Sequence, residues 1–193
     1  MSQRKSIAIF CGSSSGSDPA YVAAAHEMGR AIAERGYRLV YGAGSVGLMG
    51  EVADEVLRQG GEVLGVIPQF LVDMEVGHDG LTELIVTETM HERKLAMAEA
   101  ADGFIAMPGG VGTLEEIIEV LTWTQLGVHD KQCGLYDVKG YYDHLVRFLE
   151  HAVDQRFLKA SQAALLHRGA DAGALLETVL ESGGVVYEGK WVG

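Results

Sequence analysis

Several features that would mark other classes of protein are scarce or missing in this chain. It has only 2 cysteines, Cys11 and Cys133, which stand far apart and match neither a CxxC motif nor Cys/His metal spacing. No apolar run approaches the roughly 20 residues that span a bilayer, and the first one is too short for a signal peptide. We therefore expect a cytoplasmic protein with two reduced thiols, no metal and no membrane partner.

Blocks of basic residues are also missing. The net charge is −12, from 15 lysines and arginines against 27 acidic residues. Proteins that bind nucleic acid without sequence preference need many basic contacts to phosphates, so we expect no nucleic-acid partner. A small anionic ligand is not excluded, because backbone amides and one or two cations can hold a single phosphate.

What the chain does have is a regular alternation of apolar runs and helical patterns, punctuated by 26 glycines. We predict strands at 6–10, 38–41, 62–67, 84–86, 104–107 and 132–136, and helices at about 19–35, 51–59, 90–101, 114–126, 141–153 and 172–180. Strands separated by helices favour an α/β fold, with one doubly wound parallel sheet covered by helices on both faces. We expect a single domain over 1–193, with a ligand site at the carboxyl ends of the strands.

The most informative stretch is 107–116, Met-Pro-Gly-Gly-Val-Gly-Thr-Leu-Glu-Glu, which lies between a predicted strand and a predicted helix. Glycines allow a ligand to approach the backbone, and the start of a helix offers free N–H groups to a phosphate. Glu116 beside such an anion indicates chemistry next to the phosphate rather than anchoring. The alternative is an acid that merely stabilises the helix N-terminus.

Two other turns follow predicted strands. Gly42-x-Gly44-x-x-Gly47 matches the dinucleotide-binding fingerprint, but Glu62 opens the next strand instead of closing it, where an acid should hold the ribose. The serine-rich turn 13–15 could donate hydroxyl groups to a phosphate or a sugar, or could simply be solvated. The chain contains neither a P-loop nor a Gly-x-Ser-x-Gly nucleophile elbow.

Two charged side chains are candidates for the chemistry. Arg93 shares a helix side with Met90 and Met97, and a cation near a helix start opposes the dipole, so an anionic partner is expected. Glu116 lies opposite the apolar stripe of its helix, on a side that also carries Val120 and Trp123. We infer that a second layer, plausibly another subunit, covers this helix and partly desolvates Glu116.

Pro108-Gly109-Gly110-x-Gly112-Thr113-x-x-Glu116, with Arg93-Lys94 upstream and a turn ending in Gly-Leu-Met-Gly, resembles the Lonely Guy (LOG) family of cytokinin riboside 5′-monophosphate phosphoribohydrolases, long described as lysine decarboxylase-like. The resemblance covers roughly 7–142. It implies a Rossmann-like fold, a homodimer with its active site near the subunit contact, and no cofactor. The reaction it implies is hydrolysis of the N-glycosidic bond of a cytokinin riboside monophosphate or AMP, which gives free base and ribose 5-phosphate.

Residue by residue, the resemblance makes Arg93 and Glu116 the catalytic pair. The substrate-binding residues that it implies are Gly12, Ser13, Gly44, Glu75, Lys94, Pro108, Gly109, Gly110, Val111, Gly112, Thr113 and Thr122. Glutamate fits this reaction, because cleavage of a glycosidic bond builds positive charge on the sugar that a carboxylate stabilises.

Other functions fit some of these residues. One of them, an NAD-linked oxidoreductase, is disfavoured by the position of Glu62. Related folds include carriers of the molybdenum cofactor, so a binding protein for a phosphorylated ligand is the alternative to an enzyme. A decarboxylase would need a Schiff-base lysine, and of the six lysines only Lys94 lies near any proposed site. The residues do not distinguish adenine from N6-modified adenine as the preferred base, and they do not indicate the physiological role.

Overall fold

A computed structural model describes residues 4–74 and 77–184 of the chain. Its centre is a sheet of seven parallel strands in the order β4-β3-β2-β1-β5-β6-β7. The strands are β1 (Ser6–Phe10), β2 (Arg38–Tyr41), β3 (Glu62–Pro68), β4 (Glu83–Thr87), β5 (Gly103–Ala106), β6 (Gln132–Tyr136) and β7 (Leu166–Gly169). The helices are α1 (Pro19–Glu34), α2 (Gly47–Arg58), α3 (Gln69–Val72), α4 (Met90–Ala100), α5 (Val111–Leu126), α6 (Asp143–Asp154), α7 (Ala160–Ala163) and α8 (Ala172–Glu181).

Helices cover both faces of this sheet. Alternate residues of β1 point to opposite faces. Ile7 and Ile9 therefore belong to a core that includes side chains of α1, α2 and α8. Ala8 and Phe10 belong to a second core that includes side chains of α4 and α5. The predicted α/β fold with a doubly wound parallel sheet is confirmed.

The strand order reverses at β1. The chain runs outward through β2, β3 and β4, then returns to place β5 on the other side of β1. Ligands of such sheets bind outside the carboxyl ends of the strands where this reversal occurs. The turns after β1 and β5 are in direct contact there, since the Gly12 N–H donates to the Pro108 carbonyl at 3.0 Å.

Some predicted boundaries are wrong. Helix α2 begins at Gly47 rather than near Glu51, because Leu48 already belongs to its buried apolar stripe with Val52 and Val56. Helix α6 begins at Asp143 rather than Tyr141, because a 3₁₀ turn precedes it, in which Lys139 has a φ of 55°.

Strand β7 and the short helices α3 and α7 were not predicted, and the segment that holds α3 was expected to be a loop. β7 is an edge strand of four residues, two of which are His167 and Arg168, so its apolar pattern is weak.

Both thiols lie in the interior. Cys11 and Cys133 are buried and free, and burial raises the pKa of the Cys133 thiol to about 12. Within residues 4–74 and 77–184, none of the helices combines the length and the apolar character needed to cross a bilayer. The cytoplasmic location and the single domain over 1–193 stay predictions.

Gly47 offers a test of how the turns are packed. Its φ is +63°, and a Cβ there would lie 2.3 Å from the Ser13 carbonyl carbon and 2.4 Å from the Ser14 nitrogen. We expect Gly47→Ala to lower the free energy of unfolding by about 3 kcal/mol or more, because backbone strain adds to a clash between two main chains. Denaturant titration followed by circular dichroism measures the change.

Gly60→Ala is the matched control. Gly60 has a φ of +75°, but no atom of residues 4–74 and 77–184 lies within 4 Å of the added Cβ. Its cost should therefore be the backbone strain alone, about 1 kcal/mol. Equal losses in the two variants would show that the turn before α2 is not tightly packed against the turn after β1.

Candidate active site

At the start of α5, the turns after β1 and β5 approach each other closely and leave backbone N–H groups open to a ligand. Helix α5 follows β5 through the turn 107–110, and no side chain of the described residues hydrogen-bonds to cap this helix at Gly110. A Cβ on Gly109 would lie 2.1 Å from Thr113 Oγ1 and 2.8 Å from the Gly12 nitrogen, so only glycine lets the turns after β1 and β5 meet. The first N–H groups of α5 can therefore bind an anion placed between these turns.

Arg93 and Glu116 face each other across two helices. Arg93 Nη1 on α4 lies 3.1 Å from Glu116 Oε1 on α5, and their side chains are only 9% and 12% exposed. Arg93 Nε also donates to the Val66 carbonyl on β3 at 3.2 Å. Gly42 at the end of β2 leaves the space for the guanidinium, because a Cβ there would lie 1.8 Å from Arg93 Nη2. The pair is therefore held by two strands and two helices.

The pKa of the Glu116 carboxyl lies above its usual range. Burial is the main cause, and the charge of Glu115 adds to it, while the Arg93 guanidinium lowers the pKa and offsets part of the shift. Burial also raises the pKa of the neighbouring Cys11 thiol, and the charge of Glu116 raises it further. A carboxyl group in this setting can gain or lose a proton closer to neutral pH than an exposed glutamate.

A cavity of about 340 Å³ opens beside this pair, and we call it the glutamate cavity. It is lined by Cys11, Gly12, Ser13, Met49, Arg93, Gly110, Val111, Gly112, Thr113 and Glu116. A second cavity, of about 310 Å³, adjoins it, and we call it the tyrosine cleft. It is lined by Gly12, Ser13, Ser14, Ser15, Gly16, Tyr21, Leu48, Pro108, Gly109, Gly110 and Tyr141.

The structure brings most of the predicted site residues together. Those that line the glutamate cavity are Gly12, Ser13, Arg93, Gly110, Val111, Gly112, Thr113 and Glu116. Pro108 and Gly109 line the tyrosine cleft. Glu75 lies outside the described residues. The roles of these residues in binding and catalysis stay predictions.

Three predicted substrate-binding residues line neither cavity. Gly44 forms an isolated antiparallel bridge with Gly77. Lys94 Nζ lies between two carboxylates of α5, 2.5 Å from Glu115 and 3.0 Å from Glu119. Thr122 Oγ1 donates to the Ile118 carbonyl of its own helix at 2.7 Å. Any contact of these residues with substrate stays a prediction.

Sequence reasoning missed the side chains that support the turn after β5. The Tyr142 hydroxyl donates to the Met107 carbonyl and the Tyr141 hydroxyl to the Gly109 carbonyl, both at 2.6 Å. Met49, which lines the glutamate cavity, was also missed. A signal was available, because the two tyrosines follow the carboxyl end of β6, at the edge of the sheet that carries the glycine turns.

Solved structures with this fold share little sequence with the chain. The molybdenum cofactor binding protein from Rippkaea orientalis superposes with a TM-score of 0.70 at 19% identity, covering 93% of this chain and 97% of that one. The Moco carrier protein from Chlamydomonas reinhardtii gives a TM-score of 0.69 at 23% identity, covering 91% and 96%. At this level of identity the likeness shows the fold alone.

Sequence comparison is more specific. Residues 49–179 match the family model described as "Possible lysine decarboxylase". Cytokinin riboside 5′-monophosphate phosphoribohydrolase LOG5 of Arabidopsis thaliana is 44% identical, covering 98% of this chain and 85% of the relative. The probable phosphoribohydrolase LOGL9 of rice (Oryza sativa subsp. japonica) is 46% identical, covering 93% and 79%. The resemblance seen in the motifs is confirmed, and the chain belongs to the LOG family.

Proposed function

We propose that this protein hydrolyses the N-glycosidic bond of a purine nucleoside 5′-monophosphate, AMP or a cytokinin riboside monophosphate, to free base and ribose 5-phosphate. The observation that carries the proposal is the pair Arg93–Glu116, held at 3.1 Å in a cavity that also contains the free N-terminus of α5. The relatives named as cytokinin riboside 5′-monophosphate phosphoribohydrolases support this choice.

In this proposal the substrate phosphate binds the N–H groups at the start of α5, assisted by the Thr113 hydroxyl. The ribose then extends along α5 toward Glu116, about one and a half helical turns further on. As the bond from C1′ to the base breaks, positive charge builds on the sugar, and the Glu116 carboxylate stabilises it. A water molecule adds its oxygen to C1′ and gives up one proton to Glu116. The leaving base takes up one proton in exchange, passed on from Glu116, so that the carboxylate is restored and the base is released neutral. Arg93 holds Glu116 in place and balances its charge.

The alternative is a carrier that binds a phosphorylated ligand without turnover. The buried Arg93–Glu116 ion pair argues against it, since a carboxylate beside a bound phosphate repels that anion and therefore weakens simple binding. Incubating the purified protein with AMP and separating the products by chromatography distinguishes the two. Release of adenine in step with ribose 5-phosphate supports the hydrolase, whereas stoichiometric binding of intact AMP supports the carrier.

The residues do not fit pyridoxal-dependent decarboxylation, which the family description suggests. Such chemistry requires a lysine that can lose its proton to form a Schiff base. Lys94 Nζ instead contacts Glu115 and Glu119, which stabilise its charged form.

We also propose that two copies of the chain associate near α5, with the active site close to their contact. The end of this helix and the segment just after it are apolar and accessible, since Leu126, the last residue of α5, is 41% exposed and Val128 is 67% exposed. Glu116 does not need a partner to be desolvated, because Arg93 already covers it within one chain. Light scattering coupled to gel filtration tests the association, and a mass equal to one chain would refute it.

The raised pKa of Glu116 predicts the pH dependence. If Glu116 must be ionised, kcat/KM should fall with decreasing pH, with a midpoint above the ordinary glutamate value of about 4.5, because burial favours the protonated form. Glu115→Gln should move this midpoint downward, because the charge of Glu115 raises the pKa of Glu116. Initial rates with AMP at low substrate concentration measure both. An acid midpoint at or below 4.5 would contradict the assignment.

A further inference from the structure

Tyr21 and Tyr141 of the tyrosine cleft have no role in the proposed hydrolysis, yet the cleft adjoins the cavity where that reaction would occur. Gly12, Ser13 and Gly110 line both cavities, so the two share one rim. Its volume of about 310 Å³ falls within the range of small-molecule sites, roughly 300–1,000 Å³. The cleft is therefore large enough for a ligand group of its own.

The order of residues along the chain shows where the cleft lies relative to a bound phosphate. Pro108 and Gly109 line the cleft, Gly110 lines both cavities, and residues 111–113 with Glu116 line the glutamate cavity. A phosphate on the first N–H groups of α5 would thus sit at the boundary. Its ribose would extend toward Glu116, and the opposite side of the phosphorus would face the cleft.

Two aromatic rings form the wall of the cleft. The rings of Tyr21 and Tyr141 are packed edge to face, with centroids 5.7 Å apart. The hydroxyl of Tyr141 donates to the Gly109 carbonyl at 2.6 Å, which fixes that ring against the turn. Gly16 lies against the other ring, since a Cβ there would be 2.7 Å from Tyr21 Cδ2. Both rings are therefore held in place before any ligand arrives.

The chemistry of the lining suits a nucleoside. The two tyrosine rings provide aromatic surface against which a base can stack, and stacking on aromatic side chains tolerates any base. Ser13, Ser14 and Ser15 place three hydroxyl-bearing side chains along the same cleft, where they can bond to the hydroxyls of a sugar.

We propose that the tyrosine cleft binds the second nucleoside of a pyrophosphate-linked dinucleotide whose first half occupies the glutamate cavity. This rests on the proposed function for the position of the first half. The first phosphate would bind at the start of α5, and the second would pass over the shared rim of Gly12 and Gly110. Hydrolysis would proceed as for a monophosphate: water adds to C1′ of the first ribose, the base leaves with a proton, and the pyrophosphate link stays intact.

The test compares three nucleotides as ligands of the full-length protein. P1,P2-di(adenosine-5′) pyrophosphate is added as a competitor to the AMP reaction, with ADP as the ligand that extends the phosphate without a second nucleoside. We expect the dinucleotide to inhibit at a concentration no higher than the KM for AMP. Tyr21→Ala should raise its inhibition constant about tenfold, because a base–aromatic stack is lost. The KM for AMP should stay within about twofold.

Two further variants distinguish the loss of stacking on the Tyr21 ring from the general effect of removing a tyrosine. Tyr21→Phe keeps the ring, so the inhibition constant of the dinucleotide should be the same for this variant as for the wild type. Tyr37→Ala removes a partly buried tyrosine that hydrogen-bonds Glu181 instead of lining the cleft, and it should leave both constants unchanged. AMP turnover in each variant reports that the protein is folded.

The results distinguish this inference from the proposed function. If AMP is cleaved but the dinucleotide does not inhibit its cleavage, the cleft does not bind a second nucleoside. The same conclusion follows if Tyr21→Ala changes the inhibition constants of ADP and the dinucleotide no more than it changes the KM for AMP. If AMP is not cleaved, calorimetry with the dinucleotide still tests the cleft: a dissociation constant that rises in Tyr21→Ala supports it, and an unchanged one overturns it.

Discussion

Glu116→Gln should lower kcat for AMP hydrolysis about 10³-fold while leaving AMP binding nearly unchanged. Glutamine keeps the size of the side chain and an oxygen that can accept from Arg93, which now lies 3.1 Å from the carboxylate. It has no charge to stabilise the cationic sugar and cannot accept a proton from water. Adenine release under saturating AMP measures kcat, and calorimetry measures binding.

Glu115→Gln is the matched control for this substitution. Glu115 is the adjacent residue of α5, but its side chain is 52% exposed and pairs with Lys94. At neutral pH we expect kcat within about threefold of wild type. If Glu116→Gln were as active as Glu115→Gln, Glu116 would have no part in the reaction.

Gly42→Ala should lower kcat/KM by about 100-fold without contacting the substrate. A Cβ at this position would lie 1.8 Å from Arg93 Nη2 and 2.9 Å from Arg93 Cζ, so the guanidinium would have to move. Movement of Arg93 breaks its ion pair with Glu116 and leaves a buried carboxylate with less support, which costs transition-state stabilisation. Initial rates with AMP measure the loss.

Gly77→Ala controls for the removal of a glycine in the neighbouring segment. Among the described residues, the added Cβ would meet Ile67 Cδ1 at 3.6 Å, which is an ordinary van der Waals contact. For Gly77→Ala we expect rates within about twofold of wild type and an unfolding midpoint close to that of the wild type. Gly42→Ala should also unfold at a lower midpoint, because its Cβ clashes with the buried Arg93. Similar activity in Gly42→Ala and Gly77→Ala would show that the position of Arg93 does not matter for the reaction.

The fold could be predicted because its signals are local. Alternation of apolar runs with helical patterns, and glycines after β1, β2 and β5, were sufficient to predict a parallel sheet with its crevice at the carboxyl edge. The edge strand β7 could not be predicted, because its residues include His167 and Arg168 and it carries little apolar pattern. Its place depends on pairing with β6, which no local pattern encodes.

The candidate site could be predicted only in part, for a related reason. Arg93 and Glu116 could each be singled out by a local anomaly: a cation near a helix start and an acid on a partly apolar helix side. That they form a pair was implied only by the family resemblance. The ion pairs of Lys94 could not be predicted in this way. Its two carboxylate partners lie on another helix, more than 20 residues along the chain, and spacing alone does not reveal such a contact.

β1 is the middle strand of the sheet, with three strands on each side. Its backbone amides should therefore be among the last to exchange with deuterium, because opening them requires the whole sheet to separate. The turn after β1 should be rigid for the same reason. The turn after β5 should be rigid as well, because it accepts a hydrogen bond from the turn after β1. The substrate would therefore bind a preorganised site, and little binding energy would be spent on ordering the protein around it.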